Sequence, residues 1–114
     1  MDEIDRERLT DMLLYARAAV RIMADLDAER LNSDEKALLA VSHAVLIVGE
    51  AANRVSSHGK SEFPGIPWSK IVGMRNRLVH GYEARSTPIL VDTVQRHLPP
   101  LIAILEAAHV EDDQ

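Results

Sequence analysis

Residues 75–82 place several chemically reactive side chains within little more than two helical turns. The segment reads Arg-Asn-Arg-Leu-Val-His-Gly-Tyr. The imidazole of His80 can give or take a proton near neutral pH, and the guanidinium of Arg75 fits phosphate oxygens in a planar fork. Gly81 tolerates positive φ, so the backbone can turn sharply after His80. The pattern predicts a helix end that presents four side chains together: Arg75, Asn76, His80 and Tyr82.

Two interpretations fit this spacing. One is structural, a helix C-terminus with basic residues that complement the dipole and a glycine cap. The other is catalytic. RNA carries its own nucleophile in the 2′-hydroxyl, so a protein needs only a proton acceptor, a proton donor and a cation for the phosphorane charge. His80 suits the proton transfer, Arg75 suits the developing charge, and Asn76 can orient a phosphate or ribose.

The charge of the chain is unevenly distributed. The net charge is -5, but residues 54–85 contain six basic residues and two acids, whereas the remainder contains seven bases and sixteen acids. A polyanion is attracted to the first region and repelled by the second. Chance clustering of surface charges is the alternative. This distribution favours an RNA substrate and adds Arg54 and Arg77 to the candidate RNA-binding residues.

An ordered series of motifs resembles the HepT-like toxins, a branch of the HEPN ribonuclease superfamily. The signature is Arg75, four residues, His80, one residue and Tyr82. Four further stretches resemble the family in the same order: residues 48–52, 66–68, 71–74 and 92–101. The similarity covers roughly residues 33–105, and the first helix fits only as a generic helix.

The resemblance implies a toxin of a type VII-like toxin–antitoxin pair that cleaves tRNA or mRNA as a homodimer. It also implies a partner, an MntA-like minimal nucleotidyltransferase antitoxin, which would use ATP and Mg²⁺ to add AMP to Tyr82 and silence the toxin. Glu50, in an otherwise apolar stretch, becomes a candidate ion-pair partner for a motif arginine. The segment after Tyr82 departs from many relatives, because a carboxylate, Glu83, follows directly.

The motif supplies only one imidazole, which cannot easily act as acid and base in the same step. A twofold dimer with both motifs at the axis removes this difficulty, and a monomer with a solitary site is the alternative. A different class of function is also open: a non-catalytic helical adaptor whose arginines bind nucleotide or support a partner nucleotidyltransferase. The two functions differ at His80, because only an enzyme needs its proton chemistry.

The composition predicts one all-α domain over residues 1–114. The chain is 46% hydrophobic but only 4% aromatic, which favours helices packed through aliphatic ridges. It has no cysteine, no signal-like N-terminus and no apolar run near the roughly 20 residues that span a bilayer. We therefore expect a cytoplasmic protein without membrane contact. No ligand set for a metal and no cofactor motif is recognisable.

The periodicity of apolar residues predicts an up-and-down bundle of four main helices. The first covers residues 3–28. The second covers residues 34–57, capped by Asn32 or Ser33 with Glu35 completing a capping box, and a loop follows at residues 58–67. The third leads from Pro67 to the motif. Thr87 and Pro88 open the fourth, which is kinked at Pro99-Pro100 and ends in a frayed acidic tail at residues 111–114.

Overall fold

A computed structural model describes residues 1–80 and 86–112. The helices are α1 (Glu3–Met23), α2 (Ala28–Ser33), α3 (Glu35–Arg54), α4 (Ser57–Ser61), α5 (Trp68–His80), α6 (Ser86–Asp92) and α7 (Leu98–Ala107). A π-helical turn, Thr93–His97, joins α6 to α7. The predicted all-α bundle with an interrupted last helix is confirmed. The four predicted helices correspond to α1, α3, α5 and the rod from α6 to α7.

The core lies where α1 packs against α3 and α7, and α5 also packs against α3. One stripe of α1 is completely buried at Leu9, Met12, Leu13 and Ala16. These positions recur at three- and four-residue steps, so a single helical face supplies them. The position of α3 between α1 and α5 explains why its sequence is apolar on most sides.

Three helix boundaries differ from the prediction. The first helix ends at Met23 and not at residue 28, because the side chain of Asp27 accepts a hydrogen bond from the Arg30 amide (2.8 Å) and begins α2. The predicted capping box is wrong: Asp34 caps α3 by accepting from the Ala37 amide at 3.0 Å. At the fourth helix, α6 begins at Ser86, so Thr87 and Pro88 lie inside its first turn and do not start it.

The predicted loop at residues 58–67 contains the short helix α4. The second main helix ends at Arg54 and not at residue 57, and the Ser56 hydroxyl then accepts from the Gly59 amide at 3.0 Å. Trp68 anchors the rest of the segment, because its indole N–H donates to the Phe63 carbonyl at 3.0 Å. Phe63 and Trp68, the only Phe and Trp of the chain, are both partly buried against the core.

The break in the last helix falls one turn before the prolines. Pro99 and Pro100 lack the N–H groups that would bond the carbonyls of residues 95 and 96, and each ring crowds the carbonyl four residues earlier. The chain responds with the π-helical turn Thr93–His97, in which the Leu98 amide reaches back to the Thr93 carbonyl. The two prolines themselves lie in the first turn of α7.

The C-terminal segment is docked up to Asp112, so the predicted frayed tail is wrong for residues 111 and 112. Thr10 donates its hydroxyl to the carbonyl of Val110 at 3.0 Å, and Val110 is buried. Arg17 binds Glu111 through two bonds of 2.9 Å and also reaches Glu106 at 2.8 Å. These bonds lower the pKa of the Glu111 carboxyl.

A buried carboxylate joins the N-terminal helix to the end of α3. Asp5 is only 3% exposed. Its oxygens accept from the Ser56 amide at 2.9 Å and from the Ser56 hydroxyl at 2.5 Å. Hydrogen bonding to Ser56 lowers the pKa of Asp5 below its ordinary value of 3.8. A Cβ on Gly59 would approach an Asp5 oxygen to 2.5 Å, so the glycine gives the carboxylate its space.

We predict that Asp5→Asn destabilises the fold at pH 7 by about 1.5–3 kcal/mol, the contribution of hydrogen bonds to a charged group. Because the folded-state pKa is depressed, the stabilisation is present above the unfolded value and is lost as the pH falls through the folded one. The difference between wild type and variant in urea unfolding should therefore shrink below pH 3.8. Asp25→Asn, at an exposed position, serves as the control. A difference that persists unchanged in acid would contradict an ionised Asp5 as the acceptor of the Ser56 hydrogen bonds.

Candidate active site

Helix α5 carries the described part of the reactive segment. Its buried side is formed by Ile71 and Met74, and its final turns expose Asn76, Arg77 and His80. The predicted end of the segment, Gly81 and Tyr82, lies outside the described residues. The helix therefore presents three of the predicted polar side chains at its surface, while Arg75 is turned toward α3.

Arg75 crosses α3 at Gly49. A Cβ added to Gly49 would overlap the Cβ of Arg75 and lie 2.9 Å from its Cγ. Glycine destabilises a helix interior by roughly 1 kcal/mol relative to alanine. The close contact with Arg75 explains why α3 nevertheless has a glycine at this position.

The carboxylate next to Gly49 holds the guanidinium. Arg75 donates from Nε (3.0 Å) and from Nη2 (2.7 Å) to the same oxygen of Glu50, Oε2. Its Nη1 donates to Oδ1 of Asn76 at 2.8 Å. Among the described residues these bonds use three of the five guanidinium N–H groups, and the side chain is 24% exposed. Arg75 is therefore fixed in place with two donors left for a ligand. The expected ion pair is confirmed.

His80 and Arg75 lie on different faces of the same helix. Five residues at 3.6 per turn place them about 140° apart around the axis. His80 shares its face with Asn76, four residues earlier, and both are exposed. The Asn76 oxygen is occupied by Arg75, so its amide nitrogen is the group left to donate. A single copy of α5 thus presents the His80 imidazole and the Asn76 amide on one face, whereas the Arg75 guanidinium lies on a different face.

The two arginines predicted to support RNA binding, Arg54 and Arg77, lie at different pockets. Arg54 is exposed at the end of α3 and borders a shallow pocket of about 140 Å³ next to Glu50. Arg8, on α1, lines the same pocket, and among the described residues its buried Nε has no hydrogen-bond partner. Sequence reasoning missed Arg8, because nothing in its local pattern links it to Glu50. Arg77 faces a different groove.

That groove separates α5 from the π-helical turn and has a volume of about 440 Å³. Lys70, Gly73 and Arg77 line one wall, and Asp92 and His97 lie on the other. The sequence did not predict this site, because its two walls are about twenty residues apart and each is unremarkable alone.

Residues 1–80 and 86–112 contain no group of three His, Cys, Asp or Glu side chains placed to hold a metal ion. Within the same residues, no helix combines the length and the apolar content that crossing a bilayer requires.

Comparisons with known proteins agree with the motif. A family model described as "Ribonuclease HepT-like" matches residues 12–108. A "Putative RNase" of Methanocaldococcus jannaschii is 29% identical over 93 residues, which are 82% of this chain and 85% of that protein. A "Putative RNase" of Caldanaerobacter subterraneus is 31% identical over 96 residues, 84% and 86% of the two chains. A "Probable ribonuclease HepT" of Thermococcus cleftensis is 35% identical over 68 residues, 60% and 62%. No solved structure gives a significant match.

Two glycine substitutions test the crossing of α3 and α5. Gly49→Ala should lower the melting temperature, because overpacking against Arg75 costs about 1–3 kcal/mol and opposes a helix-propensity gain of about 1 kcal/mol. Gly73→Ala should raise it, because no described residue outside the local helix backbone has an atom within 4 Å of the added Cβ. Thermal unfolding by circular dichroism measures both. The opposite order of melting temperatures would contradict the packing of Arg75 on Gly49.

Proposed function

Because the chain belongs to the HepT-like ribonuclease family, we propose that it is a toxin that cleaves RNA, tRNA or mRNA, without a metal ion. The observation that carries the proposal is the guanidinium of Arg75. It is held by Glu50 and Asn76, and among the described residues two of its donors have no partner, five residues before an exposed imidazole. A fixed cation with free donors stabilises charge that develops on a phosphate.

The reaction begins within the substrate. A base removes the proton of a 2′-hydroxyl, and the 2′-oxygen attacks the adjacent phosphorus. The bond from phosphorus to the 5′-oxygen then breaks, and an acid gives that oxygen a proton. The products are a 2′,3′-cyclic phosphate and a 5′-hydroxyl. His80 carries the proton transfer, Arg75 stabilises the phosphorane oxygens, and Asn76 orients the phosphate or ribose.

A homodimer supplies the second imidazole that this reaction needs. In one chain His80 and Arg75 lie on faces about 140° apart, so a phosphate bound by His80 and Asn76 of one copy can meet a guanidinium from the other. Val79, next to His80, is 37% exposed, which gives the surface an apolar border beside the motif. This supports two motifs that meet at a twofold axis.

An open stripe on α3 supports the same assembly. Leu39, Leu46 and Glu50 recur at steps of seven and four, so they share one helical face. Leu39 is 65% exposed, and Leu46 is only partly buried. The stripe ends at the Glu50–Arg75 pair. A second copy that covers it would therefore also cover the candidate active site.

The proposed regulation acts on Tyr82. An MntA-like nucleotidyltransferase would transfer AMP to the phenol, consuming ATP and releasing pyrophosphate. Each added AMP brings bulk and a phosphodiester charge two residues after His80, where it competes with the phosphates of RNA. Glu83 adds a carboxylate beside the target, which affects recognition by the transferase.

We predict that His80→Ala lowers the single-turnover rate of RNA cleavage by 10²–10⁴-fold, the usual contribution of a general acid or base. The folded state should be unaffected, because His80 is exposed at the end of α5. The assay is cleavage of total tRNA and mRNA in excess EDTA, followed by analysis of the end groups. His58→Ala, at another exposed histidine within the basic region, should cleave like the wild type.

Sedimentation of the same proteins controls for assembly. Wild type and His80→Ala should both sediment at about twice 12.7 kDa. A wild-type monomer at micromolar concentration would remove the composite site. Undiminished cleavage by His80→Ala, or a strict need for a divalent metal, would contradict this mechanism, whereas no cleavage by the wild type would favour the adaptor function.

The modification of Tyr82 has its own test. Incubation of the purified chain with its partner nucleotidyltransferase, ATP and Mg²⁺ should increase its mass in steps of one AMP. Tyr82→Phe removes the only acceptor oxygen of this side chain and should abolish the addition, which intact-protein mass spectrometry measures. Tyr15→Phe, on α1 far along the sequence, is the matched control. Addition that survives Tyr82→Phe would place the modification on another residue.

A further inference from the structure

Gly73, in the middle of α5, has no close neighbour among the described residues that would require a glycine. At Gly49 and Gly59 an added Cβ would collide with Arg75 or with Asp5, and at Gly65 it would lie 3.2 Å from Ile104. At Gly73 no described residue outside the local helix backbone comes within 4 Å of such an atom. The helix nevertheless bears the cost of roughly 1 kcal/mol that glycine carries relative to alanine. Among the described residues nothing fills the space beside Gly73, so a ligand can enter it.

That space is the groove between α5 and the π-helical turn. Its volume of about 440 Å³ lies within the range of sites that hold a small molecule or one unit of a polymer. Gly73 stands between two cations on the same wall, Lys70 and Arg77. These two are seven residues apart, so they point in nearly the same direction, about 10 Å apart along the helix axis.

The charges in the groove favour an anionic ligand. Among the described residues, Lys70 and Arg77 form no salt bridge and both are exposed, and the one described carboxylate that lines the groove, Asp92, is already paired. It lies 3.3 Å from Arg96 and 3.5 Å from His97. The groove therefore presents the positive charges of Lys70 and Arg77 to solvent, and the negative charge of Asp92 is partly neutralised by its neighbours.

The Gly73 wall of the groove leads along α5 toward the motif. Gly73 and His80 are also seven residues apart, so the two positions differ by only about 20° around the helix. A ligand that lies along the Gly73 wall and continues toward the end of α5 arrives at the exposed imidazole. A π-helical turn, a feature that is frequent at functional sites, forms the facing wall.

We propose that this groove binds the sugar–phosphate backbone of single-stranded RNA next to the bond that is cleaved. Lys70 and Arg77 contact successive phosphates, and Gly73 gives the clearance that lets the backbone approach α5. The inference rests on the proposed ribonuclease function and adds to it a substrate-binding site outside the Arg75–His80 motif. An extended anion fits the two cations about 10 Å apart better than a single small anion does.

Binding is measured apart from cleavage with a short fluorescent 2′-O-methyl oligoribonucleotide, which lacks the free 2′-hydroxyl. The double variant Lys70→Gln/Arg77→Gln should bind about tenfold more weakly per cation removed. The slope of log affinity against log salt should fall by about 0.7 for each lost phosphate contact, hence by about 1.4. Lys36→Gln/Arg21→Gln, at two exposed positions outside the groove, should leave the slope unchanged.

Substitutions at Gly73 test the space available to the RNA backbone independently of the charge of the groove. Gly73→Gln fills the groove without adding charge and should weaken binding with little change in the salt slope, whereas Gly73→Ala should bind nearly as well as the wild type. An unchanged salt slope in Lys70→Gln/Arg77→Gln would overturn the proposal. So would loss of the dimer in Gly73→Gln, because the groove would then hold a second copy of the chain.

The outcomes also separate this site from the proposed function. If the wild type cleaves RNA while the groove variants bind the oligonucleotide normally, only the groove assignment fails. If binding depends on the groove but neither tRNA nor mRNA is cut, only the proposed catalysis fails.

Discussion

The placement of Arg75 on Gly49 is the contact on which the rest of the site depends. Without a side chain at residue 49, α5 approaches α3 until the Cβ of Arg75 fills the missing position. That approach brings the guanidinium to Glu50, which accepts two of its hydrogen bonds. A partly exposed ion pair adds little stability by itself. Its effect here is to hold a cation in one orientation at the surface.

The same crossing sets the directions of the other groups on α5. With Arg75 turned toward α3, Asn76 and His80 face solvent on an adjacent side, and Gly73 and Arg77 line the groove beyond them. One short helix thus carries the proposed cation, the proposed proton carrier and the proposed path for the RNA backbone. The locally basic charge of this region in an acidic chain agrees with that division of roles, since RNA binding depends on phosphate contacts.

The sequence predicted what depends on local periodicity and missed what depends on distant partners. Apolar stripes located the main helices, and the family resemblance indicated the ion pair between Glu50 and a motif arginine. The bond between Asp5 and Ser56 joins residues 51 positions apart, and the docked C-terminus depends on Arg17, far along the chain. The two prolines predicted a break in the last helix, but the helix is interrupted one turn earlier, at the π-helical turn.

A double-mutant cycle on cleavage tests most directly whether Glu50 acts by holding Arg75. Single-turnover rates of RNA cleavage would be measured for Glu50→Gln, Arg75→Ala and the combination, each with its melting temperature. If Glu50 works only through Arg75, Glu50→Gln should slow cleavage in the wild type but not further in Arg75→Ala. Losses that simply add, or a Glu50→Gln protein that cleaves at the wild-type rate, would contradict an active site organised around the Glu50–Arg75 pair.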